Sequence, residues 1–515
     1  MESVNKAHKN KQYITSAVHY VSLALFLILQ VAAIIVTFSL FRRYFARFYI
    51  ILELISLCVV LYIVREDSNP SYKIPWIILN LALPILGGLS YLMFGRVRFT
   101  RDEKRRAAEI RKRYVRAMFG ERDAMDELKE ENPDMALQAQ YIRNNADAPV
   151  FKNTQVTYFP LGEDMVEQMI PALERAERFI FIEYFIINPG ALWNQIEDIL
   201  EQKAATGVDV RVIYDAVGSI GLVPADFVRK LERKGIRALM FNPLTNIFSS
   251  RFNNRDHRKI CVVDGNIGFT GGMNLADEYI NAIDRYGHWK DTNVMLRGAG
   301  VWSLTAMFLT LWNFETRGDD RFAQFKPTLS VDAPGYVQPY TDNPNDAELV
   351  GQTVYMNMIN RARRYVYITT PYLIIDSEMI SALSIAAKSG VDVRIITPGV
   401  PDKKIAYALT RSYYDVLLRA GVRIYEYTPG FMHAKQFVSD DRCAVVGTIN
   451  LDYRSLCHHY ECAVWMCDTP VILEIKADML DAIARSREIT LAICRGRPIL
   501  MRLALPVLRL FAPLF

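Results

Sequence analysis

His257, Lys259 and Asp264 stand in "DHRKICVVDGNIGFTGGMN", and His433, Lys435 and Asp440 recur at the same intervals in "FMHAKQFVSDDRCAVVGTINLDYRS". The chain has seven histidines in 515 residues, and two of them fall into this one spacing. Residues two apart on a strand share a face, so each copy sets an imidazole beside an ammonium. A nucleophile or acid next to a fixed cation suits a phosphoryl group, whose oxygens gain charge in the transition state. The stretches that follow end in "TGGMN" and "VGTIN". Small residues there admit a phosphate close to the backbone, and Asn274 and Asn450 offer side-chain N–H donors. Asp264 and Asp440 complete the spacing, but they lie where the strand turns, which suits orienting the strand end better than touching substrate. A single copy is a weak signal. Two copies in matching surroundings point to one shared active site.

The other histidines are assigned no ligand role: His458 and His459 pack or face solvent, and His8, His19 and His288 have no partner motif. No metal is expected, because each matched histidine comes with a lysine, which repels cations. No cofactor is expected either, since no G-x-x-x-x-G-K-[ST] loop is present to cradle a nucleotide. The seven cysteines are scattered without a Cys-x-x-Cys pair and read as reduced thiols.

The elements that must position these residues come twice. "RFIFIEYFII", "ALWNQIEDILEQKAATG" and "VDVRVIYDA" read as strand, helix and strand; "RYVYITTPYLII", "SEMISALSIAAKSG" and "VDVRIITP" repeat the order. "GVDVRVI" and "GVDVRII" match at six of seven positions. Glycine after each helix is the expected left-handed stop. The fold class is therefore α/β, two duplicated halves each with a sheet layered by helices. Half 1 covers 141–320 and half 2 covers 321–515, divided near an apolar helix candidate ("VWSLTAMFLTLWNF") and a proline-containing connection.

Before the halves the chain is apolar. Residues 14–40 and 74–95 contain no charged side chain, and 48–64 is apolar apart from Glu53. The expectation is a transmembrane region over 1–95 with spans at about 14–40, 48–64 and 74–95. A cleaved signal peptide fits the first segment poorly, because Phe41, Arg42 and Arg43 follow it in place of small residues. The net charge of +5 is concentrated: Arg96 to Arg116 holds ten Lys or Arg against three Asp or Glu. This basic linker, 96–140, predicts a cytoplasmic side and an anionic lipid surface as its partner, although three spans would then put Lys6, Lys9 and Lys11 on the opposite side, against the same rule. Pro498 to Phe515 is apolar with two arginines and reads as a segment lying in the membrane interface or, alternatively, buried against the soluble halves.

The two H-x-K-x4-D motifs, with "GGMN" after one and "GTINLDYRS" after the other, resemble the phospholipase D superfamily. Within it, "PWIILNLALPILGGLSYLMFGR" and "LRLFAPLF" are similar to segments of bacterial cardiolipin synthases. The resemblance implies halves related by a pseudo-twofold axis and one site built from both motifs. It implies His257 as nucleophile, forming a phosphohistidine, and His433 as acid and base. Lys259, Lys435, Asn274 and Asn450 would hold phosphoryl oxygens, Asp264 and Asp440 complete the catalytic signature, and Asp291 and Glu461 would orient the rings. The implied reaction is phosphatidyl transfer between two phosphatidylglycerols, giving cardiolipin and glycerol, at the plasma membrane of a bacterium. Transfer to water or another alcohol is the alternative, and a nucleic-acid phosphodiesterase is the reading from a different class.

Overall fold

The computed structural model describes residues 28–36, 45–66, 69–95, 100–119, 123–243, 253–344, 348–496 and 498–514. The chain divides into two compact units, an N-terminal one through Arg98 and a second that holds nearly all the rest.

In the N-terminal unit, helices Phe45–Arg65, Pro70–Ala82 and Pro84–Phe94 follow one another. Asn69 caps the second helix through Ser71 N–H (2.9 Å), with Pro70 at the first helical position. Ser56 Oγ donates to Asn80 O (3.0 Å) and Asn80 Nδ2 to Ser56 O (2.8 Å), joining the first two helices by a buried polar pair. The second and third helices pack so closely that a Cβ on Gly87 would meet Asn80 Cα at 2.3 Å. The expected span over 74–95 is thus two helices, because Pro84 breaks the ladder after Leu83 and leaves pieces of 13 and 11 residues. The expected 48–64 span lies inside Phe45–Arg65, which carries Arg47, Glu53 and Arg65. Of 14–40, only 28–36 is described, as helix; the rest lies outside the described residues. Among the described residues no helix is long and apolar enough to cross a membrane.

The second unit carries the duplication. One sheet runs, edge to edge, Thr154–Phe159, Asn293–Gly298, Ile267–Gly271, Lys259–Val263, Phe179–Tyr184, Asp209–Asp215, Arg237–Phe241. The other runs Tyr336–Asp342, His459–Cys467, Cys443–Gly447, Gln436–Ser439, Tyr365–Thr369, Asp392–Pro398, Arg423–Tyr427, Ser486–Ile489. The first seven strands of each correspond in order. The "GVDVR" strands are parallel to their hairpin-free neighbours, as strand–helix–strand units require.

One apolar core joins the sheets: Phe181, Ile260, Phe308 and Trp312 from one side meet Ile396, Val446, Val464 and Ile475 from the other. The apolar helix candidate is helix Val301–Thr316, buried on most of its circumference, with Phe308 stacked on Phe181 at 4.5 Å. The basic block forms helix Arg101–Met118, opened by a Thr100/Glu103 capping box. It buries Ile110, Tyr114 and Met118 in this unit. Arg111 pairs with Asp147 and Arg113 with Asp319, so part of the charge serves internal pairs.

Candidate active site

Both histidines sit at the lip of a strand, His257 two and His433 three residues before it begins, at the end of the sheet where Phe179–Tyr184 and Tyr365–Thr369 finish. Each is pinned by the other half. His257 N–H donates to Tyr460 O (2.9 Å), beside the parallel pairing of Arg255–Asp256 with His459 and Tyr460. His433 N–H donates to Lys290 O (2.8 Å), beside the pairing of Gly430–Met432 with His288–Lys290.

The carboxylates cross over in the same way. His257 Nδ1 lies 2.9 Å from both carboxylate oxygens of Glu461, and His433 Nδ1 lies 2.5 Å from Asp291 Oδ2. An Nδ1–H held by a carboxylate leaves Nε2 with its lone pair, which is the tautomer a nucleophile or base needs. Glu461 is itself fixed by Ser455 Oγ (2.6 Å) and Thr448 Oγ. Asp291 accepts Thr292 N–H (3.0 Å), and a Cβ on Gly272 would fall 1.9 Å from its Oδ1. Glycine there makes room for the shorter carboxylate; Thr448 occupies the matching position in the second half and reaches the longer one.

Lys259 Nζ donates to His257 O (2.6 Å), and Lys435 Nζ to His433 O. Burial pushes Lys259 down to about 8 and Lys435 down to about 7, only partly offset by Glu461 and Asp291. Burial, then Lys435, brings His433 down to about 4 against the opposing pull of Asp291. Burial, with Lys259 and Lys435, holds His257 well below its ordinary value. Both rings rest neutral near pH 7, enclosed by aromatic side chains: Phe185 at 5.0 Å from His257, and Tyr279 and Trp289 at 5.4 Å from His433.

Of the remaining expected residues, Asn274 is buried; its Oδ1 accepts Ile186 N–H (3.0 Å) and its Nδ2 donates to Tyr279 Oη (2.7 Å). Asn450 is buried with Oδ1 free of hydrogen bonds. Asp264 and Asp440 are not beside the rings. Four residues of strand, rising roughly 3.3 Å each, lie between each of them and its lysine. Asp264 accepts the N–H groups of Glu177, Arg178 and Phe179 at 2.7–2.9 Å, and Asp440 those of Arg363, Arg364 and Tyr365 at 2.7–2.9 Å. They tie the start of one strand to the end of its neighbour, which corrects their place among the catalytic groups. Asp264→Ala or Asp440→Ala is expected to cost about 2–4 kcal/mol of stability through the lost charge-assisted bonds. Thermal melts should show the loss, with turnover per folded molecule unchanged.

Sequence reasoning missed Thr448, Ser455 and His459. The first two were inside the quoted "GTINLDYRS" and lacked only a partner. His459, expected to pack or face solvent, has its ring 5.4 Å from that of His257.

Residues 169–290 and 355–482 match the family described as "Cardiolipin synthase, PLD-like domain", and 54–96 match "Phospholipase_D-nuclease N-terminal". An uncharacterized protein of Streptococcus mutans is 47% identical over 88% of this chain and 99% of its own length. A cardiolipin synthase of Alkalihalophilus pseudofirmus is 34% identical over 87% of this chain and 90% of its own. Among solved structures, phosphatidylserine synthase of Haemophilus influenzae Rd KW20 superposes with a TM-score of 0.55 at 14% identity, covering 73% of this chain and all of that one; it shares the fold.

Proposed function

The chain belongs to the cardiolipin synthase family of the phospholipase D superfamily and is a phosphatidyltransferase; from that premise we propose how its residues perform the transfer. The donor is phosphatidylglycerol. His257 Nε2 attacks its phosphorus, breaking the bond to the glycerol headgroup and forming a phosphohistidine. Once the anionic phosphodiester is bound, His433 takes up a proton on Nε2, favoured by Asp291 and the phosphate charge. It gives that proton to the departing glycerol oxygen, then recovers one from the hydroxyl of a second phosphatidylglycerol. That oxygen attacks the phosphohistidine, releasing His257 and leaving cardiolipin. Lys259, Lys435 and the side-chain N–H groups of Asn450 donate to the phosphoryl oxygens. Asn274, with its amide bonded to Tyr279, holds the floor of the site.

The observation that carries this reading is the crossed pair, His257 on Glu461 and His433 on Asp291. Two imidazoles, each oriented by a carboxylate from the opposite half, suit a nucleophile that stays neutral and a proton shuttle that charges when the phosphodiester binds. The N-terminal unit attaches the chain to the plasma membrane. Its support is the row of exposed apolar side chains on Phe45–Arg65, Ile50, Ile51, Leu54, Ile55 and Leu61. The catalytic unit then works at the cytoplasmic face, where the basic residues left exposed on Arg101–Met118 meet anionic lipid.

The test feeds headgroup-labelled phosphatidylglycerol to membranes containing the protein and measures lipids and water-soluble products together. Cardiolipin and glycerol in equal amounts support the transfer. Phosphatidic acid with glycerol and no cardiolipin would make water the acceptor and sink it. The lysines add a pH signature. With Lys435 near 7 and Lys259 near 8, their charges are present below those values and lost above them. The expected result is kcat/KM falling as pH rises through about 7 to 8, read from initial rates at low lipid fraction.

A further inference from the structure

His459 has no part in the transfer as described, and its surroundings are unusual. Its side chain is 10% exposed, yet neither ring nitrogen has a hydrogen-bond partner. A buried polar group left without a partner costs about 1–3 kcal/mol. Its Nδ1 lies 3.6 Å from Glu461 Oε1, the same oxygen that lies 2.9 Å from His257 Nδ1. One ligand atom each from His257, His459 and Glu461 falls within 4.8 Å of the others.

The duplication supplies a comparison inside the molecule. Two residues before each orienting carboxylate stands a ring 5.4 Å from the opposite half's histidine: His459 before Glu461, and Trp289 before Asp291. An indole N–H only donates and cannot bind a cation through nitrogen. The His433 side therefore has two candidate ligands and the His257 side has three.

We propose that His257, His459 and Glu461 form a reversible inhibitory site for a divalent cation of the Zn2+ type. Two imidazoles and a carboxylate with an open fourth position are a common zinc donor set. Binding at Nδ1 of His257 uses the lone pair of that nitrogen. The single proton of the neutral ring must then sit on Nε2, the atom that attacks phosphorus. No proton is gained or lost by the ring; it changes tautomer, and the nucleophile is blocked. The ammonium groups of Lys259 and Lys435 nearby weaken a cation's hold, which suits a site that fills and empties. This inference rests on the proposed transfer only in naming His257 as the attacking group.

The experiment uses the full chain in detergent micelles. Co2+ is titrated first and its visible d–d absorption recorded, for the parent and for His459→Phe, which keeps a ring where the other half keeps one. Zn2+ is then titrated against phosphatidylglycerol turnover, each variant referred to its own metal-free rate, with EDTA added back. Expected are a Co2+ spectrum saturating at one equivalent and lost in His459→Phe, and EDTA-reversible Zn2+ inhibition. The half-inhibiting concentration should rise about 10- to 100-fold in the variant. Equal Zn2+ sensitivity in both proteins, or no Co2+ spectrum in the parent, overturns the site. A Co2+ spectrum that depends on His459 in a protein without phosphatidylglycerol turnover keeps the metal site and overturns the transfer reaction.

Discussion

His257→Ala and His433→Ala each lower phosphatidyl transfer by on the order of 10⁴-fold or more, while the protein stays folded. Neither substitution touches the sheet ladders, and both rings lie at strand lips beyond the shared core. The two variants should nevertheless fail differently. Without His257 no bond to phosphorus can form, so denatured protein recovered after exposure to acyl-labelled phosphatidylglycerol carries no label. Without His433 the nucleophile and its carboxylate remain, and label accumulates slowly on the protein because the second step lacks its base. Label on His257→Ala and none on His433→Ala would exchange the two roles. Ordinary turnover in either variant would sink the shared site.

Glu461→Gln and Asp291→Asn are the second large effect, about 10²- to 10⁴-fold in kcat with little change in lipid affinity. The amide is nearly the same shape, so packing is kept. What changes is the tautomer: an amide N–H facing Nδ1 favours a lone pair there and puts the proton on Nε2. Glu461→Gln also faces Ser455 and Thr448, whose hydroxyls now donate to a carboxylate and would have one amide oxygen between them. Its loss should therefore be the greater of the two. Steady-state kinetics over a range of lipid fractions separates kcat from KM. Equal loss of both variants in KM alone would mean the carboxylates bind lipid and do not orient rings.

Much of this was legible in the chain itself. The duplicated "GVDVR" blocks and the helices ending at Gly207 and Gly390 lead directly to two corresponding sheets, because strand and helix periods are local properties. The spacing of His257 with Lys259, and of His433 with Lys435, was enough to bring the four into one site. Asp264 and Asp440 were harder. The same spacing serves catalysis and strand closure, and only the three N–H groups around each carboxylate distinguish the two. The segment 74–95 is divided between two helices that meet at Pro84, which lacks the N–H to continue the ladder after Leu83. His459 was hidden because its neighbours, His257 and Glu461, are 202 and 2 residues away, and adjacency across the halves leaves no mark in local spacing.

The crossing of the carboxylates also matters while the chain is being made. His257 is 204 residues ahead of Glu461. At about 5–20 residues per second a ribosome needs about 10–40 s to cover that distance. For that interval a nascent first half holds a histidine with no carboxylate to set its proton. An unfinished or truncated polypeptide therefore lacks what phosphatidyl transfer needs, and the enzyme becomes armed only when translation has supplied its second half.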